Sequence, residues 1–212
     1  MTLAMSKTPW CGFFWHEVHV AIARATLTLD DVTDGDREDV RGQSEPCARE
    51  RLAARCLLRR LTRSVAGARA AGSRLCAAPS GKPFLAGQEE IGVSLSHSAG
   101  WVAAAVARHR QIGIDVQVPD TAPLALLRRC LRPDDLATVG ALPPELRARR
   151  LARVWSVQEA CVKATGTGFR GRPWSISVGA AEETGHFGDV AWANLLSPGP
   201  VALSIAERDA ES

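Results

Sequence analysis

The apolar positions change period several times along the chain, and each change marks an element. In HEVHVAIARATL, Val18, Val20 and Ile22 alternate with His19, Ala21 and Ala23, the period of a strand with one buried face. PCARERLAARCLLRRLTRSVAG then sets Leu52, Cys56 and Leu57 at helical spacing with Arg on the remaining faces, and Gly67 is placed to stop the helix. IGVSLSHS returns to the two-residue period, with Ile91, Val93 and Leu95 on one face, Ser94 and Ser96 on the other, and His97 exposed at its end. GWVAAAVARHR and QIGIDVQVP are short apolar segments whose HRQ junction predicts a hairpin. In the second, Ile112, Ile114, Val116 and Val118 share a face opposite Gly113, Asp115 and Gln117.

Pro119 and Pro123 bound a helical region, LALLRRCL, and RPDDLATV starts another helix with Pro at its first position. The longest helical pattern, ELRARRLARVWSVQEACVKATGTG, runs from about Glu145 to a stop at Gly166 or Gly168. WSISV, VAWANLL and VALSIA read as strands. This order of elements predicts an α+β fold, without internal repeats, whose lobe boundary lies near His109.

At 212 residues and 46% hydrophobic content, the chain can bury a real core as one large domain or two small lobes. The apolar runs are too short, or too interrupted by Arg, to cross a bilayer. The opening MTLAMSKTPWCGFFWHEV lacks a basic start followed by an apolar run, so a cytoplasmic protein with no membrane partner is expected. Six scattered cysteines with no CxxC pair predict reduced, mostly buried thiols. No histidine stands at metal-ligand spacing from a cysteine, which argues against zinc. A net charge of +3 gives no reason to expect a nucleic-acid partner. Of the 26 basic residues 23 are Arg, leaving Lys7, Lys82 and Lys163. Where Arg supplies generic charge, a lysine stands out, because it can release a proton and offers phosphate a compact charge.

Asp115 lies on the polar face of an otherwise apolar strand, where a carboxylate must be solvated in a cleft, paired, or bound to a cation such as Mg²⁺. A strand-end Asp bonding a nearby turn has the same spacing. Glu159 and Lys163 lie four apart on one helix face with Trp155 a turn earlier, a pattern that fits a surface ion pair as well as a reactive pair. His97 suits either a local hydrogen bond or donation to phosphate, and the Gly81-Lys82-Pro83 turn aims its lysine outward. GxSxG and GxxxxGK[ST] are absent.

In order, GKPFL, SLSHSAGWVAAAV, IGIDVQ and WSVQEACVKATGTG resemble the GKP, SHS, GIDxE and WxxKExxxK motifs of the Sfp-type 4′-phosphopantetheinyl transferases, from about Gly81 to Gly168. ARERLAARCLLRRL is similar to that family's Arg-rich helix. The resemblance implies two similar α/β lobes related by a pseudo-twofold, here 1–108 and 109–212, with coenzyme A between them. It implies a monomeric enzyme that moves the phosphopantetheine arm of coenzyme A to a serine of an acyl or peptidyl carrier protein, releasing 3′,5′-ADP, in fatty-acid, polyketide or nonribosomal-peptide assembly. Mg²⁺, or Mn²⁺ in its place, would sit on Asp115, Glu159 and Gln117. Glu159 or a water on the metal would take the serine proton, and Lys163 would serve the leaving group. Lys82, Ser96, His97 and Arg51 would hold coenzyme A, with Arg49 and Arg55 competing for the last role.

Two positions depart from the family pattern: Gln117 replaces the second acid of GIDxE, and Gln158 replaces the Lys of WxxKE. A metal-dependent pyrophosphate hydrolase and a non-catalytic coenzyme- or carrier-binding module are the rival readings. Arg128, Arg129 and Arg132, flanking Leu127 and Leu131, are the expected dock for an acidic carrier.

Overall fold

The computed structural model of the chain describes residues 10–210; Lys7 and the start of the segment read for a leader lie outside the described residues. β1 (Trp10–Trp15) and β2 (Val18–Arg24) form an antiparallel hairpin, and β2 is buried on both faces rather than one. Alanine explains the difference. Ala21 and Ala23, which look like the weaker face in the sequence, pack toward a helix, while Val18, Val20 and Ile22 pack toward a second sheet.

A short helix, α1 (Asp34–Glu38), is closed by a capping box in which Thr33 and Asp36 exchange side-chain and backbone hydrogen bonds. It packs on α2 (Glu45–Gly72) through Asp36, buried against the Arg59 guanidinium. Gly67 breaks α2 rather than ending it, with φ 86° inside the helical run. Arg59 meets the consequence, donating to the carbonyls of Ala71 and Ser73 at the helix end.

After the small hairpin of β3 (Leu75–Ala77) and β4 (Pro83–Leu85), β5 (Ile91–Ser98) and β6 (Trp101–Arg108) complete a four-stranded sheet of order β1-β2-β6-β5. β7 (Arg110–Gln117) does not pair with β6, so the expected hairpin is not formed. The chain crosses at His109, φ 55°, into a second sheet. Both strands are buried on both faces, which is the pattern of central layers.

The helices α3 (Leu124–Cys130), α4 (Pro133–Gly140) and α5 (Pro144–Thr165) follow as expected, α5 ending on Gly166 in the left-handed region. WSISV is no strand. Pro173–Ser175 is a 3₁₀ turn, and the Ile176 carbonyl takes its hydrogen bond from the Gln158 side chain instead of a neighbouring strand. β8 (Thr184–Phe187), β9 (Val190–Leu195) and β10 (Ala202–Asp209) then build the sheet of order β7-β10-β9-β8.

The result is an α+β molecule of four layers: α2, first sheet, second sheet, α5. Val20, Ile22, Ala103 and Ala105 of one sheet meet Ile112, Ile114, Leu203 and Ile205 of the other, all fully buried. The alanines of β6 let α2 and the second sheet approach it from opposite sides, so small side chains here serve close packing. Among the described residues no helix is long and apolar enough to cross a membrane. All six cysteines are free, three of them buried.

Candidate active site

The edge strand of each sheet runs along the seam between them. On β5, Ser94, Ser96 and Ser98 face β7 and accept hydrogen bonds from the backbone N–H groups of Ile114, Val116 and Val118 at 3.0, 3.2 and 3.1 Å. These serines stand in for a pairing strand on the edge of β7. On its other side, β7 meets α5 at Gly113. A Cβ there would lie 2.0 Å from the Ala160 carbonyl oxygen and 2.5 Å from the Ala164 nitrogen, so only glycine allows this approach.

The close approach brings Asp115 to the α5 residues. Lys163 Nζ donates to Asp115 Oδ1 at 2.7 Å and to the Ile114 carbonyl at 3.0 Å, and Ser96 Oγ donates to the same Oδ1 at 2.8 Å. Asp115 Oδ2 is buried with no hydrogen-bond partner among the described residues, a costly position for a carboxylate oxygen unless a cation or water meets it. Glu159, half-buried, has its carboxyl pushed above the usual range by burial first and by the charge of Asp115 second, with Lys163 partly opposing. Gln117 spends its amide nitrogen on the Val118 carbonyl, leaving the amide oxygen as its group for a cation. Leu95, Ser96, His97, Asp115, Gln117, Trp155, Glu159 and Lys163 line this cleft of about 330 Å³.

Among the described residues no three His, Cys, Asp or Glu side chains converge, so a metal here would have two carboxylates and one amide. All are oxygen donors. That set, with an orphaned oxygen on Asp115, fits Mg²⁺, which takes one or two carboxylates and keeps several waters.

Leu95, His97 and Lys163 also line a second cleft of about 390 Å³, which reaches Arg51, Arg55, Cys76, Lys82 and Gly166. Lys82 crosses from the β3–β4 turn to donate to the Ala164 carbonyl at 2.6 Å, and burial lowers its ammonium to about 8, with Arg208 adding repulsion. Of the competing arginines, Arg49 donates to the Leu27 carbonyl and Arg55 pairs with Asp36 and Asp39. Arg51 lines the cleft with its side chain exposed.

One residue with a part in the site, Glu50, was missed. Glu50 accepts from the Gly100 N–H and lies 2.9 Å from His97 Nδ1, orienting that ring. Its only sequence signal is an acid among arginines. Gln158, fully buried, donates to the carbonyls of Cys130 and Ile176 and so ties α5 to its neighbours. The arginines after Pro123 are not one free surface. Arg128 is exposed, Arg129 stacks on Trp174 at 3.7 Å, and Arg132 binds Glu182 and Ser177.

Comparison with known proteins gives a match of residues 111–201 to the model of the 4′-phosphopantetheinyl transferase superfamily, a span that includes Asp115, Gln117, Glu159 and Lys163. The chain is 28% identical over 127 residues, 60% of its length, to the 4′-phosphopantetheinyl transferase psf-1 of Bacillus pumilus, covering 51% of that protein. It is 36% identical over 94 residues, 42% of its length, to the 4′-phosphopantetheinyl transferase HetI of Nostoc, covering 40%. It is 30% identical over 97 residues, 44% of its length, to a putative 4′-phosphopantetheinyl transferase of Synechocystis, covering 39%. The matched part thus spans about half or less of these relatives. The family match includes the strand and the helix that bring the two carboxylates and the lysine together, and over residues 111–201 the chain belongs to the 4′-phosphopantetheinyl transferase superfamily.

Proposed function

We propose that this chain transfers the 4′-phosphopantetheine arm of coenzyme A to a serine of an acyl or peptidyl carrier protein, leaving 3′,5′-ADP. The observation that carries this reading is the continuity of the two clefts: a lysine- and arginine-lined channel opens onto a pair of carboxylates, with Lys163 at the join. A phosphorylated substrate fits the first and phosphoryl transfer fits the second. Each sheet also carries one long outer helix, which supports two halves, 1–108 and 109–212, related by a pseudo-twofold.

Mg²⁺ on Asp115, Glu159 and the Gln117 amide oxygen would neutralise and align the pyrophosphate. Arg51, Lys82 and His97 would bind the phosphates of the adenosine end. Glu159, made more basic by burial, would accept the carrier serine proton as the serine O–P bond forms and the bridging P–O bond breaks. The bond's electron pair leaves with 3′,5′-ADP, and Lys163 would donate to the departing phosphate oxygen. Ser96, bonded to Asp115, would act on the carboxylate rather than on coenzyme A.

The test is mass spectrometry of an apo-carrier protein incubated with coenzyme A and Mg²⁺. Gain of the phosphopantetheine mass by the wild type, and its loss in Asp115→Ala and Glu159→Ala variants with unchanged circular dichroism, is expected. Free phosphopantetheine without carrier modification would instead show a pyrophosphate hydrolase, and coenzyme binding without turnover a non-catalytic module.

A further inference from the structure

Within the serine ladder the three rungs are not equivalent. Ser94 and Ser96 each accept one β7 N–H and Ser98 that of Val118 just beyond it, but Ser96 alone also touches a carboxylate among the described residues. That geometry settles where its single proton goes. The Val116 N–H points into Ser96 Oγ and can only donate, so the hydroxyl hydrogen is left for Asp115 Oδ1, 2.8 Å away. Lys163 donates to the same oxygen from the α5 side. Oδ1 is therefore held from two directions while Oδ2 has no partner among the described residues.

We propose that Ser96 is a positioning residue that, with Lys163, holds Asp115 Oδ1 so that Oδ2 is presented as a single-oxygen ligand to a divalent cation. The proposal rests on the metal reading above and goes beyond it, since it gives the seam between the sheets a part in building the cation site. Because the rung is anchored to the backbone of β7 itself, the carboxylate and its holder move together if the sheets shift. Hydrogen-bond partners of a ligating carboxylate fix its orientation, and their loss typically costs 10–100-fold in metal affinity.

The experiment measures Mn²⁺ binding by electron paramagnetic resonance, without coenzyme A or carrier, alongside thermal melting. Ser94→Ala, Ser96→Ala and Ser98→Ala each leave one backbone N–H of the 114–118 segment without its acceptor, so all three should melt at similarly reduced temperatures. Only Ser96→Ala should weaken Mn²⁺ binding, by about tenfold or more, and Ser96→Thr, which restores a hydroxyl, should recover most of it. Asp115→Asn must remove the binding in every background. Equal Mn²⁺ affinity in Ser96→Ala and the wild type, with Asp115→Asn still abolishing binding, would overturn the positioning role alone. Wild-type Mn²⁺ binding insensitive to Asp115→Asn would overturn the metal reading and this proposal with it. A uniform affinity loss in all three serine variants would show a general effect of the ladder and would also defeat the specific role.

Discussion

Lys82 ties the β3–β4 turn to the end of α5 through one hydrogen bond, and its ammonium is held down to about 8 because it is taken out of water. A phosphate brought beside it favours the charged form, so ligand binding should take up a proton wherever the free lysine is neutral. Affinity for 3′,5′-ADP should be flat below pH 8 and fall by up to about tenfold per pH unit above it. Isothermal titration from pH 7 to 9.5 checks this. Lys82→Met should bind more weakly at pH 7 and lose the slope, whereas an unchanged slope in that variant would assign the proton elsewhere. Neutral Lys82 can still donate to Ala164, so the contact itself survives the titration. Asp115, Glu159 and Lys163 could be picked out because their motifs place them on one strand and one helix. Glu50 could not, because its His97 partner is 47 residues away and no local pattern joins them.

At the level of elements, the contact of β7 with α5 depends on Gly113, where added atoms meet backbone that cannot turn aside. Gly113→Ala should push the helix off the strand and destabilise the fold by roughly 2–3 kcal/mol, seen as a melting temperature lower by roughly 5–10 °C. It should also part Lys163 from Asp115, so residual folded protein should bind Mn²⁺ differently from wild type. A variant that melts like the wild type would mean that α5 is free to slide. The three main helices were legible because a 3.6-residue period with a proline start is a local signal, although Gly67 proved a break in α2 and not its end. The partition of strands was not. β6 and β7 are adjacent, buried on both faces and one residue apart, which suits a hairpin until the demand for two packed sheets separates them. WSISV alternates like a strand, but Pro173 and the Gln158 side chain take the bonds a strand would need.

For the whole molecule, two sheets share one interior while each carries its helix outside, and the candidate site lies where the edges β5 and β7 meet. That arrangement follows from sequence only in its α+β character, since the seam is made by serines bonding across 20 residues. The ladder also makes a dynamic gauge. A hydroxyl oxygen resembles water as an acceptor, so the amides of Ile114, Val116 and Val118 can trade serine for solvent without unfolding β7 from β10. Their hydrogen exchange should be faster than that of the β7 amides bonded to β10, and coenzyme A spanning both sides of the seam should slow these three first. Nuclear magnetic resonance of exchange with and without coenzyme A reads this directly, and equal protection along β7 in both conditions would show a seam that opens only when the whole fold does. These three amides therefore separate breathing between the sheets from unfolding of either one.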